Sequence, residues 1–367
     1  MVLVTGGAGF IGSHLVEALI SSGRRVRVLD IFEPQAHEGR PADIRSDIAL
    51  LRGDVADAAI WPRALDGVSE VVHLAAAVGV GQSMHEIVRY CRANVMGTAY
   101  LLEALIPRRD QIRKLVVASS MSIYGEGAYR CPACAGEREA ERLPEHLATG
   151  RWEPLCPECG HELEAVPTRE EKRLRPSSIY AVTKRDQEEM CLTFGRAYGI
   201  PTVALRFFNV YGPGQALGNP YTGVAAIFAA RLLAGEPPLV FEDGRQKRDF
   251  VHVTDVAAAC VAALLSPASD VAINIGTGRP VTALEVATAL RDAIGGPAPK
   301  FLGSFRAGDV RHCFADATRA HHLLGWAATV AFQEGIGALA RWLGSQRGYA
   351  DRQVRAIAEL RVLGLVR

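Results

Sequence analysis

No apolar run in this 367-residue chain reaches the roughly 18 residues that a membrane-spanning helix needs. The chain also lacks net charge: 41 Lys and Arg stand against 40 Asp and Glu, giving +1. There is then no global field to draw in nucleic acid or a membrane surface. Internal repeats and low-complexity tracts are absent, which sets aside solenoids and disordered linkers. A strand that starts at residue 2 leaves no space for a leader, so a soluble, cytoplasmic chain is expected. What is present is 49% hydrophobic residues, ample for a sizeable core in one large domain or two linked ones.

Short β-branched runs alternate with helical patterns over the first 275 residues or so. The runs 2–5, 25–30, 49–53, 70–74, 115–119, 202–207 and 272–275 read as strands. Helical patterns cover 11–22, 61–65, 93–105 and 180–198. This alternation predicts an α/β fold of the Rossmann type: a doubly wound parallel sheet with helices on both faces. Ligands bind such sheets at the C-terminal ends of the strands. Two segments interrupt the rhythm. Residues 126–170 are rich in Pro, Gly and Glu and hold two CxxC pairs. Residues 213–247 are rich in Gly and Pro, including Asn219-Pro220, around a helical core at 223–233. After Gly278 the rhythm fades into helices at 284–294, 318–324 and 332–343, which read as a smaller α/β substrate lobe. The division is a dinucleotide-binding domain over 1–212, carrying the insertion, and a mainly substrate-binding lobe over 213–367. About 250–278 returns to the first domain. In the tail 351–363, Val354, Ile357, Ala358 and Leu360 recur at helical spacing, as on a helix that packs against its own protein or a second copy.

The first strand runs into Gly6-Gly7-Ala8-Gly9-Phe10-Ile11-Gly12. Glycines here tighten the turn and let the backbone approach a pyrophosphate, which then sits at a helix N-terminus. Asp30 closes the second strand, eighteen residues past Gly12. A carboxylate there accepts the ribose hydroxyls and repels a 2′-phosphate, pointing to NAD over NADP. Asp54, after the third strand, is placed to reach the adenine, or else serves as a turn cap. Leu74-Ala75-Ala76, after the fourth, lets the chain pass close to the cofactor.

Tyr180 and Lys184 stand one helical turn apart, a spacing that by itself usually marks a solvated face. Their context is more pointed. The fifth strand ends in Ser119-Ser120-Met121-Ser122, which exposes hydroxyls at its C-terminal end. A phenol with a pKa near 10 is a poor base, but a nearby ammonium and a positive nicotinamide ring favour its phenolate.

Of eight cysteines, Cys91, Cys191, Cys260 and Cys313 are scattered and read as small buried hydrophobes. Cys131-Pro132-Ala133-Cys134 and Cys156-Pro157-Glu158-Cys159 are separated by 21 residues. Spacing and compartment favour a tetrahedral zinc knuckle over disulfides or unliganded thiols. Four thiolates leave no open coordination position, so such a zinc is structural, with His146 and His161 outside its sphere. Residues 131–164 contain eight Glu, three Arg and no Lys, the wrong sign for nucleic acid. The insertion falls between the Ser120 loop and the Tyr180 helix, so it is expected at the active-site mouth, as a substrate-side lid or partner contact.

Taken together, these motifs resemble the extended short-chain dehydrogenase/reductase family, in its nucleotide-sugar epimerase/dehydratase branch. The resemblance rests on the glycine turn, Asp30, His73-Leu74-Ala75-Ala76, Asn94, Ser119-Ser120, Tyr124-Gly125 and Tyr180/Lys184. It extends to Arg206-Phe207-Phe208-Asn209-Val210-Tyr211-Gly212-Pro213, Arg248-Asp249-Phe250-Val251-His252-Val253, Asn274-Ile275-Gly276-Thr277-Gly278 and Arg306-Ala307-Gly308-Asp309. It covers nearly the whole chain except 126–170 and the tail. It implies Ser120, Tyr180 and Lys184 as the catalytic set. NAD contacts are implied for Gly6, Gly9, Phe10, Ile11, Gly12, Asp30, Asp54, Val55, Leu74, Ala75, Ala76, Asn94, Tyr180, Lys184 and Phe207. Ser120, Ser122, Asn209, Arg248, Arg306 and Asp309 are implied for a nucleotide-sugar substrate. A guanidinium fork suits a diphosphate, although an arginine in such a place also serves as half of a surface ion pair.

Dehydratases of this branch carry an Asp-Glu pair after the catalytic hydroxyl, where this chain has Met121 and Ser122, neither an acid or base at neutral pH. The resemblance therefore implies a 4-epimerase working through a transient 4-keto sugar. Its substrate would be a dTDP-6-deoxyhexose such as dTDP-L-rhamnose, or a UDP-hexose or UDP-uronic acid. A 4-ketoreductase, a decarboxylase or a non-catalytic NAD-binding scaffold are the alternatives. A homodimer through 93–105 and 180–198 is implied as well.

Overall fold

The computed structural model describes residues 1–37, 48–216, 223–345 and 353–367; Asn219-Pro220 and Asp351 lie outside them. Seven strands form one sheet: β1 Val2–Thr5, β2 Val26–Asp30, β3 Ala49–Arg52, β4 Glu70–His73, β5 Lys114–Ser120, β6 Thr202–Phe207 and β7 Val271–Ile275. Their spatial order is β7-β6-β5-β4-β1-β2-β3, and every pair is parallel. The strands read as near-continuous apolar runs because both faces are covered. Successive side chains point to opposite faces. Val4, Val28, Val72 and Val116 join one buried cluster with Leu15, Leu19, Val256 and Ala263. Leu3, Leu29, Val71 and Leu115 join another with Trp61, Leu101, Leu105 and Phe194. Removing one such leucine side chain to Ala would cost about 2–5 kcal/mol.

The helices that supply these faces are α1 Phe10–Ser21, α2 Gly97–Leu105, α3 Ile179–Tyr198 and α4 Val253–Leu265. The expected helix over 93–105 is longer. Helical structure runs without a break from Ile87 to Leu105 and contains a π-helical stretch, Cys91–Met96. A 3.6-residue period cannot register an inserted π turn, which explains the misplaced start.

Strand order reverses between β1 and β4, the switch point at which open sheets of this type bind ligands. From β6 the chain crosses at Phe208 into a smaller lobe. There Lys247–His252 pairs in parallel with Asn209–Tyr211 and His312–Cys313, and antiparallel with Pro280–Thr282. Leu239–Val240 pairs with Lys300–Phe301. Strands after Gly278, unlike the expected helices alone, therefore contribute to the lobe. They are two or three residues long, too short for an alternating pattern to show. Helices Val224–Leu233, Ala283–Ile294 and Phe332–Gly344 cover this lobe's own core around Phe228, Phe250, Leu290 and Leu339. The insertion is a three-stranded antiparallel sheet, Glu137–Arg138 beside Ala128–Arg130 beside Glu164–Val166, with a short helix, Pro144–Ala148. The tail forms a helix over Gln353–Val362.

Candidate active site

The glycine turn is built by close approach. Gly6 has φ +68°, and a Cβ there would lie 2.9 Å from the backbone nitrogen of Ala75. A Cβ at Gly12 would lie 2.1 Å from the Gly6 carbonyl oxygen, so α1 packs onto the turn only with glycine there. Gly9 caps α1 without a side-chain hydrogen bond, and no acid occupies the first turn. The open N–H groups and the positive helix end suit a pyrophosphate. Phe10 and Ile11, the first residues of this helix, are half-buried.

Asp30 is 6% exposed. Its carboxylate accepts from the Ala8 N–H at 3.0 Å and the Phe32 N–H at 2.8 Å, with His37 Nε2 at 3.5 Å. These bonds fix it beside the glycine turn. Asp54 is committed elsewhere. It accepts from the Ala56 N–H at 2.8 Å and from Arg92 at 2.9 Å, the geometry of a turn cap with an ion pair. Val55 and Phe207 are buried, packed in the two sheet-face cores. Leu74, Ala75 and Ala76 are half-buried beside the glycine turn.

Tyr180 lies in the first turn of α3, whose N-cap Ser178 accepts from the Ala181 N–H at 3.2 Å. Its own N–H donates to Ser83 Oγ at 3.0 Å, and its ring meets Tyr90 edge-on at 6.3 Å. Ser120 Oγ accepts from the Ser122 N–H at 3.2 Å and lies 2.9 Å from Ser122 Oγ, so two hydroxyls meet at the end of β5. Burial pushes the phenol above its ordinary pKa, and the nearby Ser120 hydroxyl opposes this. The lowering expected from Lys184 is thus not present in the chain by itself: burial and the Ser120 hydroxyl alone set the shift, with no contribution from the ammonium. Lys184 is buried too, which brings its ammonium down to about 8. Its Nζ donates to Gln187 Oε1 at 2.6 Å.

Behind Lys184 runs a neutral polar relay that the sequence pattern did not single out. Gln187 donates to Thr98 Oγ1 at 2.8 Å, and His73 joins Thr98 at 3.1 Å and Thr5 at 2.7 Å. Burial, then the Lys184 charge, brings His73 down to about 3, so it is neutral. Asn94, within the π-helical stretch, donates to Thr183 Oγ1 at 2.9 Å and to the Ala77 carbonyl at 3.1 Å, and accepts from the Ala77 N–H at 2.7 Å. Thr183 in turn donates to the Tyr180 carbonyl at 2.9 Å. The only advance signal for Gln187 was its place three residues past Lys184 on the same helix. Arg206 and Tyr124 brace the Ser120 loop from below. Arg206 forks onto buried Glu188, with its closest contact at 2.5 Å, and donates to the Tyr124 hydroxyl at 2.8 Å.

On the lobe side, Asn209 Oδ1 is buried with no partner among the described residues. Arg306 donates twice to Asp309 Oδ2, at 3.0 and 2.8 Å, and lies over the Phe241 ring at 4.7 Å. Arg248 reaches Asp309 Oδ1 at 3.4 Å and spends its remaining donors on the carbonyls of Lys247, Val310 and Arg311. Burial alone would raise the Asp309 pKa, but the Arg306 and Arg248 charges hold it below the ordinary carboxylate value. Arg306 is the more accessible guanidinium, with 41% of its side chain exposed against 15% for Arg248. The Gly308 carbonyl accepts from Ser177 Oγ at 2.8 Å, which joins this loop to the residues just before Tyr180.

The sulfur atoms of Cys131, Cys134, Cys156 and Cys159 lie within 4.8 Å of one another. A tetrahedral zinc with bonds of about 2.3 Å separates its sulfurs by about 3.8 Å, so the four thiols fit such an ion. The buried cluster around these thiols holds Tyr129, Cys131, Cys156 and Leu163, two of them potential ligands. His161 is exposed and His146 half-buried, both outside the cluster.

The chain matches the family model "NAD dependent epimerase/dehydratase family" over residues 2–149 and 157–276. A relative named dTDP-L-rhamnose 4-epimerase from Burkholderia thailandensis is 35% identical, over 94% of this chain and 95% of its own. The structure of UDP-glucose 4-epimerase from Thermotoga maritima with UDP-glucose superposes with a TM-score of 0.77 at 30% identity, covering 94% of this chain and 98% of that one. The NAD complex of Thermus thermophilus UDP-glucose 4-epimerase gives 0.73 at 32%, covering 94% and 99%. By sequence and by fold, this chain belongs to the NAD-dependent epimerase/dehydratase family.

Proposed function

We propose that this chain is an NAD-dependent nucleotide-sugar 4-epimerase acting on a dTDP-6-deoxyhexose such as dTDP-L-rhamnose, or on a UDP-hexose or UDP-uronic acid. The observation that carries this reading is the buried Tyr180 phenol near the Ser120 hydroxyl, with the buried ammonium of Lys184 one turn along the same helix. NAD, when bound, supplies a hydride acceptor and donor for C4. Tyr180, as the phenolate that a positive nicotinamide ring would favour once NAD is bound, would take the proton of the 4-hydroxyl as C4 is oxidised, while Ser120 and Ser122 would hold the 4-oxygen. It would return that proton to the 4-oxygen when the 4-keto sugar is reduced on its other face. Burial disfavours a lone phenolate and a lone ammonium; formed together, each lowers the other's cost.

Gly6, Gly9, Phe10, Ile11, Gly12, Asp30, Leu74, Ala75, Ala76 and Asn94 hold the cofactor in this reading, and Asn209, Arg248, Arg306 and Asp309 hold the nucleotide diphosphate. Residues 1–212 with about 250–278 form the cofactor domain, and the rest of 213–367 the substrate lobe. The return is supported by β7 lying in the large sheet and α4 on its face. The four-cysteine cluster holds a structural zinc, supported by its sulfur spacing and thin core. The chain pairs as a cytoplasmic homodimer through the helices at 87–105 and α3, supported by exposed Val88 (80%), Met96 and Val182. The test is incubation with dTDP- and UDP-sugars and no added cofactor. Interconversion of C4 epimers is expected; no turnover on any of them, or a stoichiometric demand for NADPH, contradicts the reading.

A further inference from the structure

The insertion spends its charges in one place. Arg142 donates to Glu242 Oε1 at 2.6 Å and to the Asp309 carbonyl at 3.1 Å. Glu153 accepts from Arg311 at 2.6 Å and faces His312 Nε2 at 2.8 Å. Arg311 is fully buried and also binds Glu242 at 3.0 Å and Asp243 at 2.7 Å. Trp152 packs edge-on to Phe305 at 6.4 Å. One of these contacts reaches the backbone at Asp309, and others hold the Phe305, Arg311 and His312 side chains on either side of Arg306 and Asp309.

The tail grips the same loop from another direction. The Phe305 N–H donates to the Arg367 carbonyl at 2.9 Å, the Arg367 N–H returns the bond at 3.0 Å, and the Ala307 N–H donates to the Leu365 carbonyl at 2.9 Å. The cysteine insertion and the tail thus converge on the loop that carries the exposed guanidinium. That loop touches Ser177, three residues before Tyr180.

We infer that the cysteine insertion is a clamp that positions the Arg306–Asp309 loop for the substrate diphosphate, with Arg142 and Glu153 as its positioning residues. The clamp couples the metal site to nucleotide affinity. Arg142 and Glu153 flank the short helix between the two CxxC pairs, so their geometry depends on the fold that the thiols close. Burying four guanidinium–carboxylate contacts costs desolvation, and such a network is unforgiving once one member is lost. The inference rests on the diphosphate and zinc readings above, so its test separates all three.

Wild type, Arg142→Ala, Glu153→Gln and Cys131→Ser/Cys156→Ser are compared by calorimetric titration with UDP and with dTDP, by zinc content, and by kcat and KM for the epimerised sugar. Expected is one zinc per wild-type chain. Nucleotide affinity should weaken in all three variants by the 5- to 150-fold typical of coupling between sites, about 10-fold in the middle of the range. The loss should appear in KM, with kcat near wild type and zinc retained in Arg142→Ala and Glu153→Gln. Arg142→Lys should recover part of the affinity, as a merely structural defect would not allow. Wild-type affinity in Arg142→Ala and in the cysteine variant, with zinc present in wild type, overturns the clamp while the metal reading stands. Absence of zinc with weakened Arg142→Ala overturns the metal link and supports a clamp held by charge alone. Should Arg142→Ala fail to fold, Glu153→Gln, nearly isosteric, carries the test. Should no sugar turn over, nucleotide titration still decides the clamp while the epimerase reading fails separately.

Discussion

The two walls of the site use polarity in opposite ways. On the sheet wall, Tyr180, Ser120, Thr183, Asn94, Gln187, Thr98 and His73 form a buried, neutral relay in which Lys184 is the single charge. On the lobe wall, Arg142, Arg248, Arg306 and Arg311 interleave with Glu153, Glu242, Asp243 and Asp309. The difference follows from the work each wall would do. Moving a proton between a phenol and a sugar hydroxyl needs pKa values set by burial and a few dipoles, and extra charges would override them. Holding a diphosphate needs cations in fixed places, and the carboxylates offset the repulsion between those cations and orient their guanidinium planes.

The sharpest way to break this contrast is at the sheet wall. Tyr180→Phe should lower kcat by about 10²- to 10⁴-fold while UDP and dTDP titrate as in wild type. A comparable loss of nucleotide affinity would show that the walls are not separate. Next, Arg306→Ala should raise KM about 10- to 100-fold with kcat near wild type, because one charge-assisted contact is lost from binding alone.

A third effect separates the walls by pH. The buried ammonium of Lys184 titrates at about 8, below its ordinary range. The protonated form predominates below that pH and is lost above it, and in the proposed reading it is a cofactor contact. NAD affinity of the cofactor-free chain should therefore fall above about pH 8, roughly tenfold per unit for one proton, and Lys184→Met should flatten the slope. Stability moves the other way: the unfolded chain holds that proton more tightly, so this lysine's cost to folding diminishes between about 8 and its ordinary value. The smallest effect concerns Asp54. Tied to a turn N–H and an exposed arginine, Asp54→Asn should change NAD affinity by less than about 5-fold in the same titration.

The elements that set the fold were legible because their signals are local. Val2–Thr5 and Thr202–Phe207 match their apolar runs end to end, and the glycine turn announces its helix. Asp30 at the end of β2 and the Tyr180–Lys184 pair in the first turns of α3 were legible from spacing alone. The relay through Gln187, Thr98 and Thr183 was not legible, since each is an ordinary polar residue until β4, α2 and α3 meet. Phe207, implied as a cofactor contact, is packed in one sheet-face core, a placement its sequence position did not reveal. The raised pKa of Tyr180 was invisible for the same reason: burial is a tertiary property. Arg142 and Glu153 looked like part of an acidic, solvated insertion. Their role depends on Arg311, more than 150 residues away from either.

The central claim is that hydride leaves and returns to the same carbon while Tyr180 handles the proton. A dTDP- or UDP-sugar deuterated at C4, incubated with the protein in ordinary water and without added cofactor, tests this directly. The account predicts a C4 epimer that keeps its deuterium. An epimer whose C4 deuterium has exchanged for solvent hydrogen would contradict it.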